Sequence, residues 1–546
     1  MFRIFGPPGT GKTTTLLNYV DQALEGGMSP REIGFLAFTR KAASEAKERA
    51  ARRFNLDEKD DLPYFRTLHS LSYRLLGIRD KDLMSKEHFD DLSKKIKVQL
   101  HTSPHYDFGD TPSKSTEHPV LGVINLARLK KTDLRSEYNQ TTLEESWPEV
   151  EYIADAYRTY KQFHGVLDYT DMLEMFVHEA PRVCPEFKLC FLDEAQDLSP
   201  LQWDIAHAID KKSHRMYCAG DDDQAIYRWA GADVDHFINL PGGSEVLSQS
   251  YRIPRSVHRI AEGIAKRIHR RFPKQYKPKE EEGSVTRMSD IAELDMSEGT
   301  WLIMAQANYM LSAVAGELKT SGYLFERNGS RSISERLSIA VNAWEQMRKG
   351  RPITLKAAQV VYSFMYGNNV HIARGMKKID APEDQLFTID LLQKEYGLLV
   401  DDSLIWHEAM DKITGNDRLY ITALLRKGEK FNAVPRIKLS TIHGTKGGEA
   451  DNVVLFTDLT YAAIKSSQID DLHRVFYVGV TRTKENLYLM DLMHTFLRSD
   501  SSRKNLEKRP WLIDYRWQCS PQSLTGSHRS ILFPKASLML KKLQLT

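Results

Sequence analysis

Gly6-Pro-Pro-Gly9-Thr10-Gly11-Lys12-Thr13 fits the spacing G-x-x-x-x-G-K-[ST], directly after a short β-like run, Phe2 to Phe5, and directly before the helical stretch TTLLNYVDQAL. That context suits a triphosphate. Glycines let successive backbone N–H groups curl round a phosphate and the helix N-terminus adds partial positive charge, while a lysine reaches the β and γ oxygens and a threonine hydroxyl offers a ligand to Mg²⁺. The candidate cradle is therefore Gly6, Gly9, Thr10, Gly11, Lys12, Thr13 and Thr14. A second set, Asp193 and Glu194, follows the apolar run Leu189 to Leu192, at the carboxyl edge of a buried strand where open α/β sheets bind ligands. A D-E pair alone says little, since most such pairs are surface charges. Beside a phosphate loop, Asp193 can hold Mg²⁺ while Glu194 orients or deprotonates an attacking water.

These groups need a sheet to carry them. Short apolar runs alternate with helical stretches, the pattern of parallel α/β units. The expected strands are Phe2–Phe5, Ile33–Phe38, Leu189–Leu192, Arg215–Ala219, Arg436–Ser440, Val453–Thr457 and Asn486–Asp491. His101 to Pro119 reads as a long loop inside a helical insertion, KQYKPKEEEGS (Lys274 to Ser284) as a charged break in composition, and Trp344 to Lys430 as a second, mostly helical insertion. The chain has 546 residues, 41% hydrophobic and 27% charged, which excludes a single small domain, wholesale disorder and a fibrous repeat.

A net charge of +3 announces no nucleic-acid partner by itself. The excess sits in the last segment, Ser501 to Thr546, where nine Lys or Arg face only Glu507 and Asp514. That segment reads as a solvated tail or as a phosphate- or partner-binding one. Cys184, Cys190, Cys218 and Cys519 show no C-x-x-C pair, and no apolar run approaches the roughly 18 residues needed to cross a bilayer, so the expected compartment is a reducing cytoplasm.

Seven further segments complete a series: FLAFTRKAASEA (Phe35 to Ala46), RTLHS (Arg66 to Ser70), LDYTDML (Leu167 to Leu173), AGDDDQAIYRWAGAD (Ala219 to Asp233), LSQSYRIP (Leu247 to Pro254), LSTIHGTKGGEADNVV (Leu439 to Val454) and RVFYVGVTRTKENLYL (Arg474 to Leu489). In this order, the motifs resemble those of the UvrD/Rep/PcrA group of superfamily 1 DNA helicases. The resemblance implies an α/β fold of two RecA-like parallel-sheet motor domains with mainly helical insertions. The first motor domain would be 1–84 with 166–240, its insertion 85–165, the second motor domain 241–343 with 431–498, its reduced insertion 344–430, and the basic tail 499–546.

The resemblance also implies roles: ATP and Mg²⁺ as cofactors, Glu194 and Gln224 in catalysis with Gln224 sensing the γ-phosphate, Arg252 and Arg482 as arginine fingers, Tyr251 on the adenine and Glu449 on the ribose, and Thr13 and Asp193 at the metal. Phe38, Thr39, Thr67, His69, Tyr227, Trp229, Thr441 and His443 occupy the positions that hold single-stranded DNA, and the partners implied are single strands and single/double-strand junctions. The I-Y-R-W segment favours 3′ to 5′ movement. Two positions depart from the family pattern: Ala230 stands where an arginine follows the motif tryptophan, and Gly447-Gly448-Glu449 replaces G-L-E. Two alternatives stay open, a translocase that strips proteins from single strands without unwinding, and a nucleotide-gated binding module.

Overall fold

The computed structural model describes residues 1–38, 40–100, 118–460, 463 and 468–490, with backbone alone at 513–514. Thr39, Cys519, most of the His101–Pro119 loop and nearly all of the basic tail lie outside the described residues. Two sheets organise the rest. The first has the order β3-β2-β4-β5-β1-β6, from β1 (Phe2–Phe5), β2 (Ile33–Ala37), β3 (Phe65–Thr67), β4 (Phe187–Asp193), β5 (Ser213–Gly220) and β6 (Ser244–Val246), all parallel. Strands buried on both faces read as unbroken apolar runs, and every residue of β2 is buried. The edge strand β6 comes from beyond residue 240 and pairs Arg3 with Ser244.

The second sheet has the order β10-β9-β13-β8-β14-β16-β7. Its strands are β7 (Ser284–Met288), β8 (Trp301–Ala305), β9 (Phe325–Arg327), β10 (Ser330–Arg331), β13 (Ile437–Thr441), β14 (Ala450–Phe456) and β16 (Thr483–Met490), parallel except for the β9–β10 hairpin. Both sheets carry helices, so the α/β class with two parallel-sheet motor units holds. Among the described residues no helix is long and apolar enough to cross a membrane.

The two insertions are built differently. Helices Lys86–Ile96, Pro119–Lys130, Leu134–Gln140 and Trp147–His164 close on a core of their own, with Phe89, Leu121, Val150 and Tyr157 at its centre. The motif LDYTDML ties this insertion to the first sheet. Asp168 caps helix Tyr169–Val183, and its carboxylate also receives Arg128 at 2.8 Å and Lys161 at 2.5 Å from the insertion's helices. Arg128 and Lys161 reach Asp171 as well, at 2.5 and 2.6 Å. The second insertion instead shares one apolar cluster with its sheet: Trp344, Met365 and Trp406 pack in the same cluster as Ile303, Ile437 and Val454. It holds helices Leu355–Ser363, Ile389–Glu395, Trp406–Ala409 and Gly415–Lys427 and a two-stranded ribbon, β11 (Ile353–Thr354) with β12 (Leu386–Phe387).

Candidate functional site

The phosphate loop runs from the end of β1 to helix Lys12–Glu25. Gly11, at φ 77°, supplies the left-handed turn that starts the helix. A Cβ on Gly6 would lie 1.9 Å from Lys12 Cγ, so the lysine stem crosses the loop where only a hydrogen fits. Lys12 Nζ donates to Gly6 O at 3.1 Å and lies 3.8 Å from Glu194 Oε1. Thr13 Oγ1 donates to Asp193 Oδ2 at 2.8 Å. The loop and the end of β4 thus meet. Thr10 closes the loop on itself through Pro7 O at 2.7 Å, and Thr14 is exposed, in a groove that it shares with Arg49 and Arg53.

Burial and the neighbouring Glu194 charge push the Asp193 carboxyl up to about 6. Burial also works against ionised Glu194, but Lys12 and Lys446 outweigh it and hold this carboxyl down to about 2. A buried carboxylate beside a second carboxylate and a hydroxyl is a hard-oxygen set, and it fits Mg²⁺. No group of three or more metal-ligating side chains occurs among the described residues, and an ion held largely by phosphate and water needs none. The glycine cradle under Lys12 fits a phosphate.

Residues from beyond 240 complete the cleft. Ser250 Oγ donates to Pro8 O at 2.8 Å, and Tyr251 N donates to Gly9 O at 2.8 Å. A Cβ on Gly9, at φ 71°, would lie 2.4 Å from Arg252 Cβ, so this glycine lets the segment carrying Arg252 press against the loop. The Arg252 guanidinium turns to Glu449, with Nε donating at 2.7 Å, and Lys484 takes the other oxygen of Glu449 at 2.7 Å. Arg482 is 2% exposed and donates to Gln224 Oε1 at 2.5 Å and to Gly448 O at 3.2 Å. Burial, with the Arg252 charge adding to it, lowers the Arg482 guanidinium to about 9. Tyr251 stands 76% exposed beside the loop.

Some of the expected DNA-contact residues come together and others do not. Phe38 stacks on Tyr227 at 5.8 Å between ring centroids, and Trp229 meets Tyr227 and His443 edge-on at 6.3 and 6.2 Å. Tyr227 Oη donates to His443 O at 3.4 Å, which joins the two halves of the platform. Trp229 is 52% exposed. Thr67 and His69 lie apart, in a cavity of about 400 Å³ that Arg40, Arg66 and Tyr73 also line. Thr67 Oγ1 caps the helix Leu68–Leu75 by accepting from Ser70 N. Thr441 Oγ1 accepts from Gly444 N at 3.2 Å. Burial lowers both His69 and His443 to about 4, with Arg40 adding to the effect at the first and Lys446 at the second.

Lys446 is a residue that sequence reasoning missed. Its ammonium pairs with buried Asp197, lies 3.9 Å from Glu194 Oε2, donates to Gln224 O at 3.0 Å and sits 5.0 Å from the Tyr227 ring centroid. A lysine in a glycine-rich stretch three residues before Glu449 was the available signal. Gln196, which donates to Glu194 Oε2 at 2.6 Å, and the buried cluster of Asp221, Asp222, Asp223, Arg271 and Lys274 were missed too. Lys274 lay in the stretch read as a charged break, yet its side chain is 1% exposed.

Comparison with known proteins agrees with this architecture. The family model for the UvrD/REP helicase N-terminal domain matches residues 2–242, and that for the UvrD-like helicase C-terminal domain matches residues 408–492. The chain is 27% identical over 299 residues to the ATP-dependent DNA helicase PcrA of Bacillus subtilis, a stretch that is 50% of this chain and 39% of that protein. Its identity to PcrA of Leuconostoc citreum is 24% over 285 residues, and to PcrA of Staphylococcus aureus strain Mu50 27% over 293, each covering 50% of this chain and 38% of the relative. The matched stretch thus spans less than two fifths of these relatives' own length. With both family models placed in order and together covering more than half of the chain, the protein belongs to the UvrD/REP helicase family.

Proposed function

We propose that this chain is an ATP-dependent DNA helicase or translocase that moves 3′ to 5′ along single-stranded DNA, with hydrolysis in the cleft between two RecA-like lobes driving strand separation. The observation that carries this reading is the composite pocket, in which Gly9 of the phosphate loop meets Arg252 and Gln224, after β5, meets Arg482. The lobes proposed are 1–84 with 166–240 and 241–343 with 431–498, with 85–165 and 344–430 as insertions.

Bound Mg-ATP supplies a phosphoryl group whose transition-state charge spreads over its equatorial oxygens. The chain's own groups are placed for that charge. Glu194, kept ionised by Lys12 and Lys446, takes a proton from water at its carboxylate. Arg482 and Arg252 provide guanidinium donors, Lys12 holds phosphate oxygens, and Gln224 reports phosphate occupancy to Arg482 through its side-chain oxygen. Thr13 and Asp193 are the metal ligands proposed, Tyr251 the base platform and Glu449 the ribose contact.

Phe38, Tyr227, Trp229 and His443 form the stacking surface proposed for bases, with Thr39, Thr67, His69 and Thr441 as further DNA contacts. Stacking is tolerant of sequence, which suits movement along any strand. Lys446 spans from Glu194 to the Tyr227 ring, so a strand settling on that ring can be felt at the hydrolysis site. The test is the ATPase rate with and without single-stranded DNA, followed by unwinding of duplexes bearing 3′ or 5′ overhangs. DNA-stimulated turnover with unwinding from 3′ overhangs alone is the result expected. Turnover indifferent to DNA, or unwinding only from 5′ overhangs, overturns the reading.

A further inference from the structure

We propose that Asp221 and Lys274 are positioning residues for hydrolysis: Lys274 holds the Asp221 carboxylate, and that carboxylate sets which end of the Gln224 amide faces Arg482. The proposal rests on the roles given above to Gln224 and Arg482.

An amide side chain is ambiguous by shape. Its oxygen accepts and its nitrogen donates, yet the two ends occupy nearly the same space, so neighbours must choose between them. At Gln224 both neighbours choose. Arg482 can only donate, and it faces Gln224 Oε1 at 2.5 Å. The Asp221 carboxylate accepts from Gln224 Nε2 at 2.7 Å. Turning the amide over would set nitrogen against guanidinium and oxygen against carboxylate, two repulsive contacts in a buried place.

Asp221 governs a second glutamine through its backbone. Its N–H donates to Gln196 Oε1 at 3.0 Å, which leaves the Gln196 amide nitrogen to donate to Glu194 Oε2 at 2.6 Å and Asp197 Oδ2 at 3.0 Å. One residue therefore ties the carboxylate proposed as base to the amide proposed as sensor.

A fully buried carboxylate needs a countercharge to keep its place. Asp221, Asp222 and Asp223 are each 0% exposed, and Lys274 Nζ reaches them at 3.2, 2.6 and 2.8 Å. Asp223 also receives two hydrogen bonds from Arg271, at 2.8 and 2.6 Å, and Asp222 accepts from Phe272 N at 2.7 Å. Lys274 follows the helix Arg255–Ala265, and Arg474, from the helix before β16, donates to Asp222 O at 3.0 Å. The sensor is thus gripped from two sides by residues beyond 240, through Arg482 at its tip and Lys274 at its root.

The experiment uses the purified chain as wild type and as D221N, K274Q, D221N/K274Q and E194Q. Three quantities are read: kcat and KM for ATP with single-stranded DNA, affinity for a non-hydrolysable ATP analogue, and Tm without nucleotide. A misplaced reacting group costs about 10²-fold in rate, so D221N is expected to lose that much kcat while analogue affinity and Tm stay near wild type. K274Q leaves three buried carboxylates without their lysine and should lower both Tm and kcat. The double variant removes charge in balance, so it should recover Tm over K274Q while kcat stays low. D221N turning over at the wild-type rate overturns the proposal, as does a double variant that recovers both quantities, the mark of a purely structural ion pair. E194Q hydrolysing at the wild-type rate overturns instead the underlying reading of the hydrolysis site.

Discussion

Arg482 and Gln224 share a 2.5 Å hydrogen bond across 258 residues of chain, joining the helix end before β16 to the turn after β5. A guanidinium placed at a phosphoryl-transfer site is worth about 10³ to 10⁵ in rate. R482A should lose roughly that much kcat, and R482K should recover little, because a lysine cannot span Gln224, Gly448 and Val478 together. Single-turnover hydrolysis measures the loss directly. A variant with near-normal turnover would exclude Arg482 from the reaction.

Lys12→Ala should abolish ATP turnover and leave part of the DNA affinity in place, since Lys12 is held by Gly6 and Glu194 at the phosphate loop while the aromatic platform lies elsewhere. Turnover and filter binding of a labelled oligonucleotide, measured on the same preparation, separate the two.

Trp229 is half exposed, so Trp229→Ala should fold normally. Base stacking contributes ~1–3 kcal/mol per base, and the variant should lose about that much single-strand affinity together with most of the DNA stimulation of hydrolysis. Basal turnover should change little. Undiminished stimulation would remove Trp229 from the DNA path.

Lys446→Ala strips a cation from Asp197, which is 1% exposed, and breaking a buried pair from one side costs ~3–5 kcal/mol. Adding Asp197→Asn to the same chain should return part of that stability. Denaturant midpoints of the single and double variants make the comparison.

His473 is buried, and burial, with the Arg267 charge adding to it, holds its imidazole down to about 4. Below about 6.5 the unfolded chain takes up a proton at this residue and the folded chain does not. Stability from this group is therefore complete above about 6.5 and is lost as pH falls towards 4. His473→Gln should flatten the fall of Tm across that window, read by thermal scans at several pH values.

What the sequence disclosed was local. The phosphate loop and the carboxylates after β4 could be read because each is a contiguous run whose spacing states its own chemistry, and the central strands because burial on both faces leaves unbroken apolar residues. Expected strand ends were off by up to three residues: Leu189–Leu192 is Phe187–Asp193, and Val453–Thr457 is Ala450–Phe456. Lys274 and Lys446 were opaque, because a buried lysine looks like a surface one until its carboxylate partners, up to 249 residues away, are in place. The LDYTDML motif was visible as a motif, but its use as a staple between insertion and sheet depends on Arg128 and Lys161, which no local pattern marks.

Strand β1 does not pair with β2. Its neighbours are β5 and β6, so Phe2 waits for Tyr217, and Arg3 for Cys218 and then Ser244, before either is paired. As the polypeptide leaves a ribosome, the loop destined for phosphate emerges well before the strands that frame it, while the helices of residues 86–164 can already close on themselves. Non-local pairing of this kind folds slowly and exposes unpaired strand edges meanwhile. Production of the protein should accordingly depend on chaperone capacity and on low temperature more than its core packing alone would suggest.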